Sequence, residues 1–159
     1  MALFLLFRIG SDYYALDSVE VAEVLPLGAT KQIPGAPAWV SGIMVRHGRP
    51  VPVIDLTALA TDQPATARTS TRTVLVHYRR PSHTELDGAE HLLGLRLEYA
   101  TDTLRCDPNS FVDSGIDAGS ARYLGPVRHD ARGLIQRVHV ATLLPDDVHA
   151  LLFPSVAPT

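Results

Sequence analysis

Residues 3–16 read LFLLFRIGSDYYAL, and this stretch decides the class of fold. The apolar run Leu3–Ile9 and the aromatic run Tyr13–Leu16 both favour β-strands, because such side chains fit a pleated and partly buried surface. Between them, Gly10-Ser11-Asp12 supplies the residues that form turns. The chain is therefore predicted to begin with a β-hairpin.

Short strands separated by turn formers continue along the chain. They are predicted at Val21–Leu25, Ile43–Val45, Val51–Ile54, Thr73–Tyr78, Leu92–Tyr99, Tyr123–Val127 and Gly133–Val140. Helical signals are few: Asp55 is placed to cap a short helix at Leu56–Ala60, and Val148, Leu151 and Leu152 have the spacing of a short C-terminal helix. This pattern predicts a mainly β protein built from two small barrels packed together, since closure protects strand edges.

The best candidate boundary between two halves is the polar, proline-containing run Thr61–Arg72. A chain of 159 residues supports one compact unit, so we expect a single domain over 1–159. Approximate subdomains are predicted at 11–65 and 70–143, with the N-terminal strand and the C-terminal helix shared or peripheral. Loops are predicted at Arg79–His91 and Cys106–Ser120.

Composition argues against several classes of partner. The net charge is −3, so there is no overall positive field to attract nucleic acid or anionic lipid. The apolar start before Arg8 is too short for a membrane span or a signal peptide, which predicts a cytoplasmic protein without membrane insertion. Cys106 is the single cysteine, which excludes an internal disulfide.

The residue patterns of common enzymes are missing. Lys31 is the single lysine and does not belong to a phosphate-binding glycine loop, and no serine lies in a Gly-x-Ser-x-Gly elbow. The seven histidines show no spacing typical of zinc ligands. We therefore predict a protein without catalytic residues, metal or cofactor, and keep as an alternative a small enzyme that uses His47 and Glu23 in a cleft.

Several motifs, in this order, resemble the CheW family: Phe4–Gly10, Tyr14-Ala15-Leu16, Val21-x-Glu23-Val24, Ile33–Pro37, Val40-x-Gly42 and Pro52–Leu56. The second half agrees more loosely, through Thr73–Tyr78, Leu93–Glu98 and Leu143-Leu144. The resemblance extends over nearly the whole chain, and the first 56 residues carry most of it.

The resemblance implies a fold of two SH3-like, five-stranded β-barrels and a non-catalytic adaptor function. It implies two partners, the cytoplasmic tip of a methyl-accepting chemoreceptor and the regulatory domain of a CheA-type histidine kinase. The protein would then be cytoplasmic and recruited to receptor arrays at the membrane. A self-assembling scaffold, which polymerises through its own barrel faces, is the alternative.

By position, Val21 and Glu23 match the strand that helps to form the receptor-facing surface in the family, and Gly42 matches a glycine before the adjacent strand. Ordinary strand packing and an exposed charge would explain these three residues equally well. The sequence departs from the family at Val45-Arg46-His47-Gly48, where relatives have Asn-x-Arg-Gly. Either Arg46 supplies the missing charge or the partner surface differs, and the alternation of side chains along a strand disfavours a simple substitution.

Overall fold

The computed structural model of the protein describes residues 1–80, 90–117, 119 and 121–154, so most of the predicted loop Arg79–His91 lies outside it. The described strands are β1 (Ala2–Ile9), β2 (Asp12–Asp17), β3 (Val21–Pro26), β4 (Val40–Arg46), β5 (Arg49–Asp55), β6 (Arg72–Tyr78), β7 (His91–Cys106), β8 (Leu124–Asp130) and β9 (Gly133–Val138). The helices are α1 (Leu56–Thr61) and α2 (Asp146–Leu152). The predicted mainly β class is confirmed.

Strand pairing groups the strands into two sets of five, which we call the first and the second barrel. The first barrel has the order β3-β6-β7-β5-β4, with β5 and β7 parallel and the other pairs antiparallel. The second barrel has the order β7-β1-β2-β9-β8, with β2 and β9 parallel. Strand β7 belongs to both barrels and joins them.

Strand pairing also crosses between the two halves of the chain. Strands β1 and β2 pair with β7 and β9, and β3 pairs with β6. The backbone hydrogen bonds that define a barrel are thus made between distant segments. The subdomain limits of 11–65 and 70–143, with a shared or peripheral N-terminal strand, stay a prediction.

Strand β1 contributes to the cores of both barrels. Phe4 and Leu6 point into a small core with Phe111 and Ile135, whereas the alternate residues Leu5, Phe7 and Ile9 enter the larger core. Successive side chains on a strand point to opposite faces, so a strand buried on both faces must be apolar throughout. This explains the unbroken apolar run at the start of the chain.

Strand β7 extends seven residues beyond its predicted end at Tyr99. Residues Ala2–Leu6 of β1 pair with Asp102–Cys106, a segment in which Asp102, Thr103 and Arg105 are exposed. An edge strand with polar exposed side chains has no apolar alternation that would mark it in the sequence. The strand therefore continues up to Cys106, the residue at which the predicted loop Cys106–Ser120 begins.

Two local predictions about helices hold. The side chain of Asp55 caps α1, with Oδ1 accepting from the N–H of Ala58 at 3.0 Å, and Oδ2 also accepts from the N–H of Ala65 at 2.8 Å. Helix α2 forms at the predicted place and buries Val148 against the larger core, but Leu151 is exposed. A helix of two turns covers one face only, so one of the three apolar positions points away.

Candidate partner-binding site

Glu23 on β3 and Arg46 on β4 form a two-pronged ion pair. The Nε of Arg46 donates to Oε2 of Glu23 at 2.9 Å, and its Nη2 donates to Oε1. Hydrogen bonds from Arg46 hold the pKa of the Glu23 carboxyl below its usual value, with further help from the charges of Arg46 and His47. Two of the predicted site residues therefore interact directly, and both side chains remain about one-third exposed.

This ion pair links the two outer strands of the first barrel. Strand β3 pairs with β6 and strand β4 with β5, and no backbone pairing between β3 and β4 occurs in the described residues. The guanidinium group is rigid and planar, so a fork of two bonds fixes direction as well as distance. The pair is thus placed to hold the open side of the barrel in one geometry.

His47 lies in the turn between β4 and β5 rather than in a strand. Arg46 pairs with Arg49 across this two-residue turn, and both His47 (φ 51°) and Gly48 (φ 76°) have positive φ values. These are the dihedrals of the hairpin turn that matches strand twist. Strand alternation therefore does not decide whether Arg46 can replace the family arginine, because His47 is a turn residue.

Gly42 has a clear role in backbone packing. Its φ is 132°, and a Cβ added there would lie 2.1 Å from the carbonyl oxygen of Lys31. The backbones of Lys31 and Ile43 are joined by two hydrogen bonds of 2.9 and 2.7 Å beside it. Glycine is needed here because any side chain would push this segment away from β4.

Val21 packs against the larger core. Further along β3, Val24 is 46% exposed, and Val45 on β4 is 70% exposed. Neither Val24 nor Val45 was predicted as a site residue. Exposure of these two side chains is a property of the assembled barrel, so the sequence alone did not mark them.

Exposed apolar side chains also occur on the second barrel. Val112, Ile116 and Leu134 are each at least 60% exposed. Ile116 and Leu134, together with Pro126 and Val127, line an open groove of about 770 Å³. We call these residues the second-barrel surface, and nothing in the sequence pattern distinguished them from ordinary loop and strand residues.

The geometry argues against the alternative of a small enzyme that uses His47 and Glu23 in a cleft. Both oxygens of Glu23 accept from Arg46, and the lowered pKa makes this carboxyl a poor proton donor. Among the described residues, no group of three or more His, Cys, Asp or Glu side chains could hold a metal ion. The ion pair therefore occupies the carboxylate that the enzyme alternative requires.

A membrane-spanning helix is also absent from the part of the chain that the structure describes. Neither α1 nor α2 is long and apolar enough to cross a bilayer.

Comparisons with known proteins give a family match and a similar fold. Residues 3–148 match the family model of the CheW-like domain. The fold is similar to the crystal structure of the scaffolding protein TtCheW from Thermoanaerobacter tengcongensis, with a TM-score of 0.76 and 19% sequence identity. The superposition covers 91% of this chain and 88% of that one. No curated protein is similar enough to count as a match.

Proposed function

Because this chain belongs to the CheW-like domain family, we propose that it is a non-catalytic adaptor that couples chemoreceptors to a CheA-type histidine kinase. The family match over residues 3–148 is the observation that carries this proposal, and the similarity to a scaffolding protein supports it. The adaptor would work in the cytoplasm and be recruited to receptor arrays. An adaptor needs at least two surfaces, one for each partner.

The first surface is the edge of the first barrel formed by β3 and β4, which carries the Glu23–Arg46 pair and, at the neighbouring positions, the exposed side chains of Val24 and Val45. Apolar side chains next to a fixed charge pair suit the apolar stripe and polar flanks of an amphipathic helix. We assign this surface to the cytoplasmic tip of the receptor. Val21 and Gly42 would then support this surface without contacting the partner. Val21 packs against the larger core, and Gly42 allows the backbone around Lys31 to lie close to β4.

The second-barrel surface is the candidate for the regulatory domain of the kinase. Exposed side chains such as Ile116 and Leu134 lose contact with water when a partner covers them, which favours association. This surface lies on the other barrel, so one partner could occupy each barrel at the same time. Self-association through the same apolar residues is the competing function.

Calorimetric titration with the two partners separately tests this assignment. The substitution Glu23→Lys is expected to weaken binding of the receptor fragment and to leave binding of the kinase regulatory domain unchanged. The substitution Ile116→Glu is expected to do the reverse. Asp102→Lys makes the same charge change as Glu23→Lys on the exposed edge of β7 and serves as the matched control.

The outcomes separate the hypotheses. If neither partner binds the wild-type protein, the adaptor function is wrong. If both partners bind but Glu23→Lys has no effect on either, the function stands and the proposed receptor surface is wrong. Light scattering that shows polymers of the wild-type protein, dispersed by Ile116→Glu, would favour the self-assembling scaffold.

A further inference from the structure

Strand β7 passes from the first barrel to the second through a residue in an unusual conformation. Residues up to Leu97 pair with β6, and Glu98 pairs with Arg8 of β1. Tyr99 follows, with a φ of 53°. A bulky residue rarely adopts a positive φ, and within the described strands no other non-glycine residue does so.

The ladder between β1 and β7 is irregular at the same point. Arg8 is paired with Glu98 and Leu6 with Asp102, so three residues of β7, 99–101, face the single residue Phe7. Extra residues of this kind bend a strand and increase its twist. The bend lets one strand serve two barrels, and Tyr99 lies at its start.

The ring of Tyr99 contacts two guanidinium groups from different parts of the fold. The Cζ of Arg8 is 4.6 Å from the ring centroid, and the Cζ of Arg68 is 5.1 Å from it. Arg8 belongs to β1 of the second barrel, whereas Arg68 lies in the segment that leads into β6 of the first barrel. Attraction between a cation and an aromatic face therefore acts on the joint from both sides.

The neighbouring residue Glu98 reinforces the contact with the first barrel. Its buried carboxylate accepts from Nη1 of Arg68 at 2.7 Å and from the hydroxyl of Thr57 in α1 at 3.1 Å. The N–H of Ala100 donates to the carbonyl oxygen of Ser70 at 3.1 Å. Residues on both sides of Tyr99 are thus tied to the helix and the linker of the first barrel.

We infer that Tyr99, whose ring contacts Arg8 and Arg68 and is clamped by them, is a positioning residue that fixes the orientation of the two barrels relative to each other. Strained backbone persists where the surrounding structure enforces it, and it concentrates at functional positions. A strand without this clamp could bend through a wider range of angles at residues 99–101. The clamp sets the geometry between the two exposed surfaces, whichever partners they bind.

Distance measurements by double electron–electron resonance test the inference. Spin labels on Val45→Cys in β4 and Leu134→Cys in β9 report one distance between the barrels, since both positions are exposed. Cys106 is buried and is expected to stay unlabelled, which labelling of the wild-type protein checks. The expected result is a narrow distribution that broadens in Tyr99→Ala and stays narrow in Tyr99→Phe, which keeps the ring.

Tyr13→Ala is the matched control. The ring of Tyr13 also contacts Arg8, at 4.8 Å, but Tyr13 lies in β2 of the same barrel, so its loss should leave the distribution narrow. An unchanged width in Tyr99→Ala would overturn the inference. If Tyr99→Ala does not fold, the width of the distance distribution in Arg8→Met tests the inference in its place. This substitution removes one cation of the clamp and keeps a long side chain.

Melting temperatures check the strain independently of the distances. Tyr99→Gly and Tyr99→Ala both remove the ring, but glycine tolerates a positive φ. Tyr99→Gly is therefore expected to melt about 2–4 °C above Tyr99→Ala. Equal melting temperatures would show that the backbone at this position is not strained and would overturn that part of the inference.

Discussion

Arg46 donates hydrogen bonds to both carboxylate oxygens of Glu23 and thereby connects the two outer strands of the first barrel. The two residues are 23 positions apart in the sequence and lie on strands that share no ladder in the described residues. Their contact makes one surface out of two strand edges.

Exchanging the charges of Glu23 and Arg46 tests whether the pair or the individual charges matter. Glu23→Lys and Arg46→Glu each place like charges together and are expected to weaken receptor-fragment binding with little change in melting temperature, since exposed pairs contribute little stability. The double variant restores an attractive pair and should regain part of the affinity. Calorimetry on the three variants gives the coupling energy between the two residues. If the changes in binding free energy of the single variants simply add in the double variant, the pair as such has no role in binding.

Gly42→Ala is expected to destabilise the protein by at least about 1 kcal/mol, because alanine is strained at positive φ and its Cβ would collide with the Lys31 carbonyl. Urea unfolding measures the change. Gly28→Ala is the matched control, since a Cβ at that position would have no neighbour within 4 Å. Equal stabilities of the two variants would show that the segment around Lys31 can move away at no cost.

The stability of the protein should decrease as the pH falls below the ordinary His pKa of 6.5. Burial against Gly125, and secondarily the charge of Arg137, lower the pKa of His139 in the folded protein. The unfolded chain therefore takes up the proton first, so the free energy of unfolding is highest above that pH and is lost as the pH falls through the lowered pKa.

Urea unfolding at several pH values measures the slope. His139→Gln should make the profile flatter across this range, whereas His129→Gln should not, because His129 is exposed on β8. A wild-type profile that is level from neutral pH to below the lowered pKa would contradict the prediction.

Tyr78→Phe should cost about 1 kcal/mol of stability through the loss of one buried hydrogen bond. The hydroxyl of Tyr78 lies 2.9 Å from Nδ1 of His149 and connects β6 to α2, while its ring stacks on Phe153 at 5.5 Å. Phenylalanine keeps that stacking. Tyr13→Phe removes a hydroxyl that makes no hydrogen bond within the described residues, so chemical denaturation should show almost no change for this control.

Local features of the fold were predictable because local chemistry specifies them. The hairpin at residues 3–16 follows from two apolar runs around a turn, and the cap of α1 follows from an aspartate before a helix. Most of the predicted loop Arg79–His91 lies outside the described residues, so that prediction stays untested.

The surface around Glu23 was predictable only in part. The family resemblance pointed to Glu23, but the sequence did not show that Arg46 would reach it. That contact depends on a turn at His47 and Gly48, and on the closure of a barrel between strands that are distant in the chain. Val24 and Val45 were missed for the same reason, since exposure is a property of the assembled barrel.

The sequence by itself determined the mainly β class, the first hairpin, the helix positions and the family, because these depend on residue types at short spacing. Only the tertiary structure decided which strands pair, that β1 serves two cores, and that β7 bends at Tyr99 to join two barrels. Backbone groups are alike in every residue, so hydrogen bonding alone does not select a partner strand. Burial of both faces of β1 makes that selection, and it exists only once distant segments have met.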